Sequence, residues 1–249
     1  MHAIETRGLT HRFSNETVLD TVALAVPQGS IYGFLGPNGA GKTTTLKLLL
    51  GLLRRQQGSI EIFGKTLERD RLDILRRIGS SIESPSLYLH LTAVENLEIW
   101  RRVFRCPPQR IRDVLELVDL SGTGQKRVGR FSMGMKQRLS IAVALLHEPE
   151  LLILDEPTNG LDPQGIREMR RLLETLNRER GITILVSSHI LSEVERLVTH
   201  VGVLHRGTLR FQGTLEALLA CAEKTVVAEA EARQRYMLER IFLHLVEGD

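Results

Sequence analysis

Residues 36–44 read Gly36-Pro37-Asn38-Gly39-Ala40-Gly41-Lys42-Thr43-Thr44 and match G-x-x-x-x-G-K-[ST], the pattern of a phosphate-binding P-loop. The residues before the loop are typical of a short buried strand, and residues 44–50 are typical of a helix. Glycines let backbone N–H groups turn inward, and the helix N-terminus adds positive charge, so this unit can wrap a polyphosphate. We expect all nine residues to bind nucleotide, with Lys42 at the β- and γ-phosphates and the Thr43 hydroxyl on Mg²⁺. The flanking strand and helix disfavour the alternative, a glycine-rich turn with an unrelated lysine.

Residues 151–156 form a continuous apolar run that ends in Asp155 and Glu156. Such a run is typical of a central parallel strand that is buried on both faces and charged only at its tip. We expect Asp155 to hold Mg²⁺ through water and Glu156 to accept a proton from an attacking water. Two acids can end a strand by chance, but a P-loop earlier in the same chain favours the catalytic interpretation.

Two further polar residues follow predicted buried strands: Glu83 comes after residues 78–82, and His189 comes after residues 182–187. In open α/β sheets, ligands bind outside the carboxyl ends of the strands. A lone histidine is usually structural, but this position favours a role of His189 near the phosphates. For Glu83 a solvated loop glutamate remains the alternative.

The segment before the P-loop is predicted to form strands at 3–9 and 17–26, with a turn at Ser14-Asn15 between them. Phe13 lies just before this turn. An aromatic ring there can be a half-buried part of the core, or it can offer a face on which a nucleobase stacks. The neighbouring phosphate-binding motif favours stacking.

The remaining pattern alternates helices and strands. Hydrophobic periodicity and turn residues predict a strand at 58–64, helices at 69–77, 92–105, 109–118, 132–147 and 163–179, a hairpin at 201–206 and 208–212, and a terminal helix with Leu238, Ile241, Phe242 and Leu245 on one face.

Composition indicates a soluble globular protein: 42% of the 249 residues are hydrophobic, 25% are charged and the formal net charge is +3. No nucleic-acid partner is expected from so mild a basic bias, which would suit a surface beside an anionic membrane. Cys106 and Cys221 are far apart and lack metal-ligand spacing, which predicts a reduced, cytosolic environment. No apolar run approaches the ~20 residues that a membrane span requires, so work at a membrane would need spans from another chain.

Residues 131–139, Phe131-Ser132-Met133-Gly134-Met135-Lys136-Gln137-Arg138-Leu139, resemble the signature motif of ABC-type ATPases. Residues 159–162, Asn159-Gly160-Leu161-Asp162, resemble the family's D-loop, His189 its switch histidine, and Phe13 the aromatic residue that stacks on adenine. The resemblance runs from residue 3 to about residue 215. It implies an α/β fold: a P-loop NTPase core with a mainly parallel sheet, an N-terminal antiparallel β-subdomain and a helical signature-motif subdomain at about 84–148. The cassette would span residues 1–220, followed by a C-terminal helical extension at 221–249.

The resemblance also implies an ATPase that uses ATP and Mg²⁺. Two copies would face each other head to tail with two ATP molecules between them, and would drive a separate transmembrane permease from the cytoplasmic face of the membrane. Each ATP would lie on one chain's P-loop and be covered by Ser132 and Gly134 of the other chain, with Asp162 also at the site. Their position at a helix start lets a hydroxyl, N–H groups and a helix dipole point at the γ-phosphate. The implied metal-site residues are Thr43, Asp155 and Glu83.

Three departures from the family pattern bear on function. The signature reads Ser-Met-Gly-Met where Ser-Gly-Gly-Gln is common, Phe13 replaces the commoner tyrosine, and Glu83 replaces the usual glutamine. Residues 78–85 and 91–97 resemble the bacitracin and lantibiotic self-protection exporters, which implies an antimicrobial peptide or a lipophilic compound as cargo. A soluble ABC ATPase of DNA repair or translation is disfavoured, because the chain has one cassette and only a short helical insertion. An importer subunit is disfavoured by the Glu83 segment and by the absence of a long regulatory C-terminal domain.

Overall fold

Two sheets organise the computed structural model, which describes residues 1–83, 86–226 and 246, and only the backbone of 222–226. The strands are β1 (His2–Phe13), β2 (Glu16–Val22), β3 (Ala25–Pro27), β4 (Ile31–Leu35), β5 (Gln57–Ile62), β6 (Lys65–Thr66), β7 (Ile78–Ser81), β8 (Leu151–Asp155), β9 (Thr183–Ser188), β10 (His200–His205) and β11 (Thr208–Thr214). The helices are α1 (Lys42–Leu49), α2 (Leu67–Leu75), α3 (Ala93–Phe104), α4 (Gln109–Leu117), α5 (Met133–Leu145), α6 (Pro163–Arg180), α7 (Leu191–Val194) and α8 (Leu215–Val226).

The larger sheet has the strand order β11-β10-β4-β9-β8-β7 and is parallel except for the hairpin of β10 and β11. Its central strands β4, β8 and β9 are buried along their whole length, and successive residues of β8 alternate between two cores. Leu152 and Leu154 pack under α3 to α6, whereas Leu151 and Ile153 pack with α1, α2 and the second sheet. Parallel pairing brings the carboxyl ends of β4, β7, β8 and β9 to one edge of the sheet.

The smaller, antiparallel sheet has the order β2-β1-β5-β6, and β3 pairs with the first half of β1. We expected one strand at 17–26, and that prediction is wrong, because residues 23–24 separate β2 from β3 just after Thr21, whose φ is +52°. The hydroxyl of buried Thr6 bridges the break: it donates to the Val22 carbonyl (3.0 Å) and accepts from the Leu24 N–H (2.8 Å).

Three helices form the segment between β7 and β8. α3 begins with a capping box formed by Thr92 and Glu95, and it is capped at its end by Arg105, which has a left-handed backbone before Pro107-Pro108. α5 is capped by the side chain of Ser132, which accepts from the Met135 N–H at 3.2 Å. The sequence therefore specified where these helices begin and end.

The predicted α/β fold class is confirmed. Helix α7 and the part of α8 before residue 221 were not predicted, and the predicted terminal helix around Leu238, Ile241, Phe242 and Leu245 lies outside the described residues. Within the described ranges, none of the helices combines the length and the apolarity needed to cross a membrane.

Candidate functional site

The P-loop connects β4 to α1 at the carboxyl edge of the larger sheet. Only glycine fits at its first position, because a Cβ on Gly36 would lie 2.3 Å from the Leu204 carbonyl oxygen. Gly41 has a φ of +105°, which a side chain would strain. Among the described residues, no carbonyl accepts from the N–H groups of residues 41–44. These N–H groups and the helix N-terminus can therefore bind an anion.

Lys42 folds back over the loop. Its ammonium donates to the carbonyls of Gly36 (2.7 Å) and Pro37 (3.2 Å) and lies 3.6 Å from Glu156 Oε1. Burial lowers the pKa of Lys42, and the negative charges of Glu156 and Asp155 oppose that shift. The lysine is thus a buried cation whose present partners are groups of its own chain.

Asp155 joins the P-loop to the neighbouring strands. Its Oδ2 accepts from the Thr43 hydroxyl at 2.9 Å, and its Oδ1 accepts from the Ser187 hydroxyl at 2.5 Å. Ser187 Oγ also accepts from the N–H of Glu156 at 2.9 Å. Ser187 is fully buried at the end of β9, so it fixes both acids at the tip of β8.

Glu156 lies between Lys42 and His189, two other predicted site residues. Its backbone has a φ of +47°, and its Oε2 lies 3.0 Å from His189 Nδ1, although the angles do not make a well-aligned hydrogen bond. Asn159 donates to the same oxygen at 3.4 Å. We call Lys42, Thr43, Asp155, Glu156 and His189 the P-loop cluster, because the fold brings these five predicted residues together.

The ligand atoms of the P-loop cluster are of the kind that binds Mg²⁺. Thr43 and Asp155 offer only oxygen atoms, the ligands that Mg²⁺ prefers, and Mg²⁺ usually takes one or two protein ligands beside phosphate oxygens and water. The described residues contain no cluster of three or more His, Cys, Asp and Glu side chains that would hold a metal without a phosphate.

Ser132 and Gly134 lie elsewhere, in what we call the signature groove. This groove has a volume of about 400 Å³ and lies between the start of α5 and the start of α6. Asp162 also lines it and caps α6 by accepting from the Gly165 N–H at 2.7 Å. None of the residues that line the groove belongs to the P-loop.

Neither Phe13 nor Glu83 has a described side-chain contact with the P-loop cluster. Phe13 ends β1 and is 47% exposed. Glu83 follows β7, is 62% exposed and pairs with Lys47 of α1 at 2.5 Å. The described contacts of Glu83 include neither Thr43 nor Asp155, so its link to Mg²⁺ stays a prediction.

A sequence profile of ABC transporters matches residues 19–159. The chain belongs to the ABC transporter family. It is 56% identical over 207 residues to the bacitracin transport ATP-binding protein of Bacillus licheniformis, covering 83% of this chain and 68% of that protein. It is 44% identical over 206 residues to a lantibiotic transport ATP-binding protein of Streptococcus pyogenes, covering 83% and 88%.

A solved structure of an ATP-binding cassette, a dimer in a post-hydrolysis state bound to ADP and Pi, is also similar. It is 26% identical, with a TM-score of 0.75, over 85% of this chain and 98% of that one. The resemblance to bacitracin and lantibiotic transport ATPases is therefore confirmed. As a family member, the chain is an ATP-binding subunit that hydrolyses ATP to drive transport.

Two residues that hold predicted site residues in place, Ser187 and Lys47, were not predicted from the sequence. Ser187 holds both acids of β8, yet in sequence it cannot be distinguished from its neighbour Ser188. Lys47 pairs with Glu83, and the only signal was its position one helical turn after Thr43.

Proposed function

We propose that this chain is the ATPase subunit of an exporter, and that two identical copies work head to tail on a separate permease at the cytoplasmic face of the membrane. The proposal rests on the finding that the predicted ATP-binding residues lie at two separate places on the chain. The P-loop cluster and the signature groove share no lining residue, so one chain alone brings only half of the predicted contacts to an ATP molecule. A second chain can supply the other half.

The exposed face of the signature groove supports the pairing. Ser132 is solvent-exposed and caps α5, and the N–H groups of Met133 and Gly134 have no hydrogen-bond partner among the described residues. This arrangement suits the γ-phosphate of an ATP held by another chain. The related cassette bound to ADP and Pi is itself a dimer. Closing such a sandwich would complete the site, because phosphoryl transfer depends mainly on positioning and charge stabilisation.

Within each site, Lys42 would leave its own carbonyls for the β- and γ-phosphates. Thr43 and Asp155 would hold Mg²⁺, which when bound neutralises charge on the phosphate oxygens. Glu156 would accept the proton of the attacking water, and His189 at 3.0 Å would keep its carboxylate in place. Ser187 would keep Asp155 and Glu156 at a fixed separation.

A groove of about 520 Å³ between β7, α3 and α5 is the surface on which we place the permease. It is lined mainly by apolar side chains, of which Leu52 (62% exposed) and Phe104 (39%) are unusually open to solvent. A short amphipathic helix can bury such a surface. Glu83 follows Ile82, which lines this groove, and pairs with Lys47 of α1, so it lies between the groove and α1.

The cargo is proposed from the relatives. Proteins named for bacitracin transport and lantibiotic transport match most of the chain, which supports an antimicrobial peptide or lipophilic compound and export over import. A soluble ABC ATPase would not cosediment with membranes, whereas a permease-bound subunit would.

The decisive experiment uses Glu156→Gln. This variant keeps the nucleotide contacts but lacks the base, so turnover should fall by about 10²–10⁴-fold and Mg-ATP should hold two chains together during size-exclusion chromatography. Glu148→Gln changes an exposed glutamate paired with Arg110 and serves as the control. A Glu156→Gln protein that stays monomeric and turns over normally would refute the proposal.

A further inference from the structure

The hairpin of β1 and β2 presents one aromatic face to solvent. Phe13 is the last residue of β1, and its ring is 47% exposed. Buried His11 contacts the ring in an edge-to-face arrangement, with centroids 4.7 Å apart and an interplanar angle of 79°. One side of the ring is therefore backed by the protein, and the rest is open.

The backbone next to Phe13 is held by a side-chain clamp. Gln56 accepts from the Arg12 N–H at 2.8 Å and donates to the Arg12 carbonyl at 2.9 Å. The Arg12 guanidinium donates to its cross-strand partner Thr17 at 2.8 Å. Because side chains alternate along a strand, the Arg12–Thr17 pair lies on the face opposite to Phe13. The clamp thus fixes Phe13 without placing the arginine beside its ring.

Glu16 is the residue directly opposite Phe13 in this hairpin. Directly opposed residues of antiparallel strands point to the same face, with Cβ atoms about 4.5–5.5 Å apart. The Glu16 side chain is exposed, and no hydrogen bond or ion pair joins it to the rest of the described chain. An uncommitted carboxylate therefore lies beside the open aromatic face.

We infer that this hairpin reads the nucleobase: Phe13 supplies the stacking face, and Glu16 accepts a hydrogen bond from the 6-amino group of adenine. The inference rests on the proposed ATP-binding function and on the stacking of adenine on Phe13 that the family resemblance implies. An ionised carboxylate only accepts hydrogen bonds. A 6-amino group donates, whereas the 6-oxo group of hypoxanthine or guanine only accepts and would repel a carboxylate placed at position 6. The donor on that edge of a 6-oxo purine is the neighbouring N1–H, which the carboxylate would meet only if it lay at N1 instead. Glu16 is thus a specificity residue that favours adenine over 6-oxo purines.

The test compares ATP with inosine triphosphate, whose base carries oxygen in place of the 6-amino group. The full chain should bind ATP roughly two- to tenfold more tightly, the effect of one solvent-accessible hydrogen bond. Glu16→Gln should bring the ratio of the two affinities close to one, since an amide can accept from a 6-amino group and donate to a 6-oxo group. Asp20→Asn, a change at another exposed acid of β2, should leave the wild-type ratio unchanged.

The variant Phe13→Ala distinguishes a failure of the Glu16 contact from a failure of the stacking on Phe13. It should weaken ATP and inosine triphosphate alike, because stacking is tolerant of base identity. A wild-type affinity ratio of one, a preference for inosine triphosphate through its N1–H, or a ratio that Glu16→Gln does not change would overturn the role of Glu16 and leave stacking intact. Unchanged affinities in Phe13→Ala would instead overturn the stacking on which the inference rests.

Discussion

Lys42 and Glu156 form an ion pair across the carboxyl edge of the sheet, with Nζ 3.6 Å from Oε1. The same ammonium donates to the carbonyls of Gly36 and Pro37 and is only 5% exposed. The cation that we assign to the phosphates is therefore satisfied by its own chain. Nucleotide has to replace these partners, and doing so would free the Glu156 carboxylate to meet water.

Lys42→Ala removes that ammonium, so ATP affinity and turnover should both fall. Hydrogen bonds to charged groups contribute about 1.5–3 kcal/mol, which predicts a loss of affinity of roughly ten- to a hundredfold. Nucleotide titration and phosphate release measure the two effects. Lys47→Ala, which removes a lysine of the same helix that pairs with Glu83, is the control. Wild-type affinity and turnover in Lys42→Ala would show that the P-loop assignment is wrong.

Ser187→Ala should reduce turnover about tenfold and destabilise the fold by about 1–3 kcal/mol, because it leaves the partly buried Glu156 N–H unpaired and frees Asp155. Steady-state kinetics and urea denaturation measure these effects. Ser188→Ala is the matched control, since among the described residues the Ser188 hydroxyl bonds only to the backbone of Ile190. Equal effects of the two substitutions would mean that Ser187 does not position the acids.

Glu83→Gln should leave ATP hydrolysis largely intact and weaken its coupling to export, whereas Glu83→Ala should impair both. The Glu83–Lys47 pair is exposed, so its loss should cost no more than about 1 kcal/mol of stability. Cellular resistance to the cargo, compared with ATPase activity of the assembled transporter, measures coupling. If Glu83→Gln changes neither quantity, the glutamate is only a tolerated replacement for glutamine.

His147 should make stability depend on pH. Burial lowers its pKa below the usual 6.5, a hydrogen bond to the Ile78 carbonyl opposes this shift, and the nearby Arg110 adds to it. The fold therefore favours the neutral ring, so the stability it contributes is present above pH 6.5 and is lost as the pH falls below that value, by up to about 1.4 kcal/mol per pH unit.

The free energy of unfolding at pH 7 and pH 5.5, measured with urea, tests this. His147→Phe keeps a ring beside Phe104 and should lose less stability on acidification than the wild type. His90→Phe, a change at an exposed histidine, should behave as the wild type does. Parallel losses in all three proteins would contradict the assignment to His147.

Much of the fold followed from local sequence. The P-loop is defined by consecutive residues, and β8 is recognisable because a strand buried on both faces needs a continuous apolar run. The convergence of Asp155, Glu156 and His189 followed from parallel pairing alone, since it brings the carboxyl ends of strands together. These features depend on residues that are close in the sequence or on the general geometry of parallel sheets.

What could not be predicted depends on distant contacts. Thr21 has no sequence feature that demands a positive φ, and the break after β2 is stabilised by Thr6 from another strand. Ser187 differs from Ser188 only in what lies 32 residues earlier, namely Asp155. The Lys47–Glu83 pair likewise joins residues 36 positions apart. Side-chain roles of this kind require the folded geometry.

The central claim is that each ATP site needs two chains, and a mixed dimer tests it most directly. In a dimer of one Lys42→Ala chain and one Ser132→Arg chain, one composite site carries both defects and the other carries neither. With assembly of all three dimers confirmed, the mixed dimer should hydrolyse ATP faster than either homodimeric variant. A mixed dimer as inactive as the two homodimers would contradict the shared site.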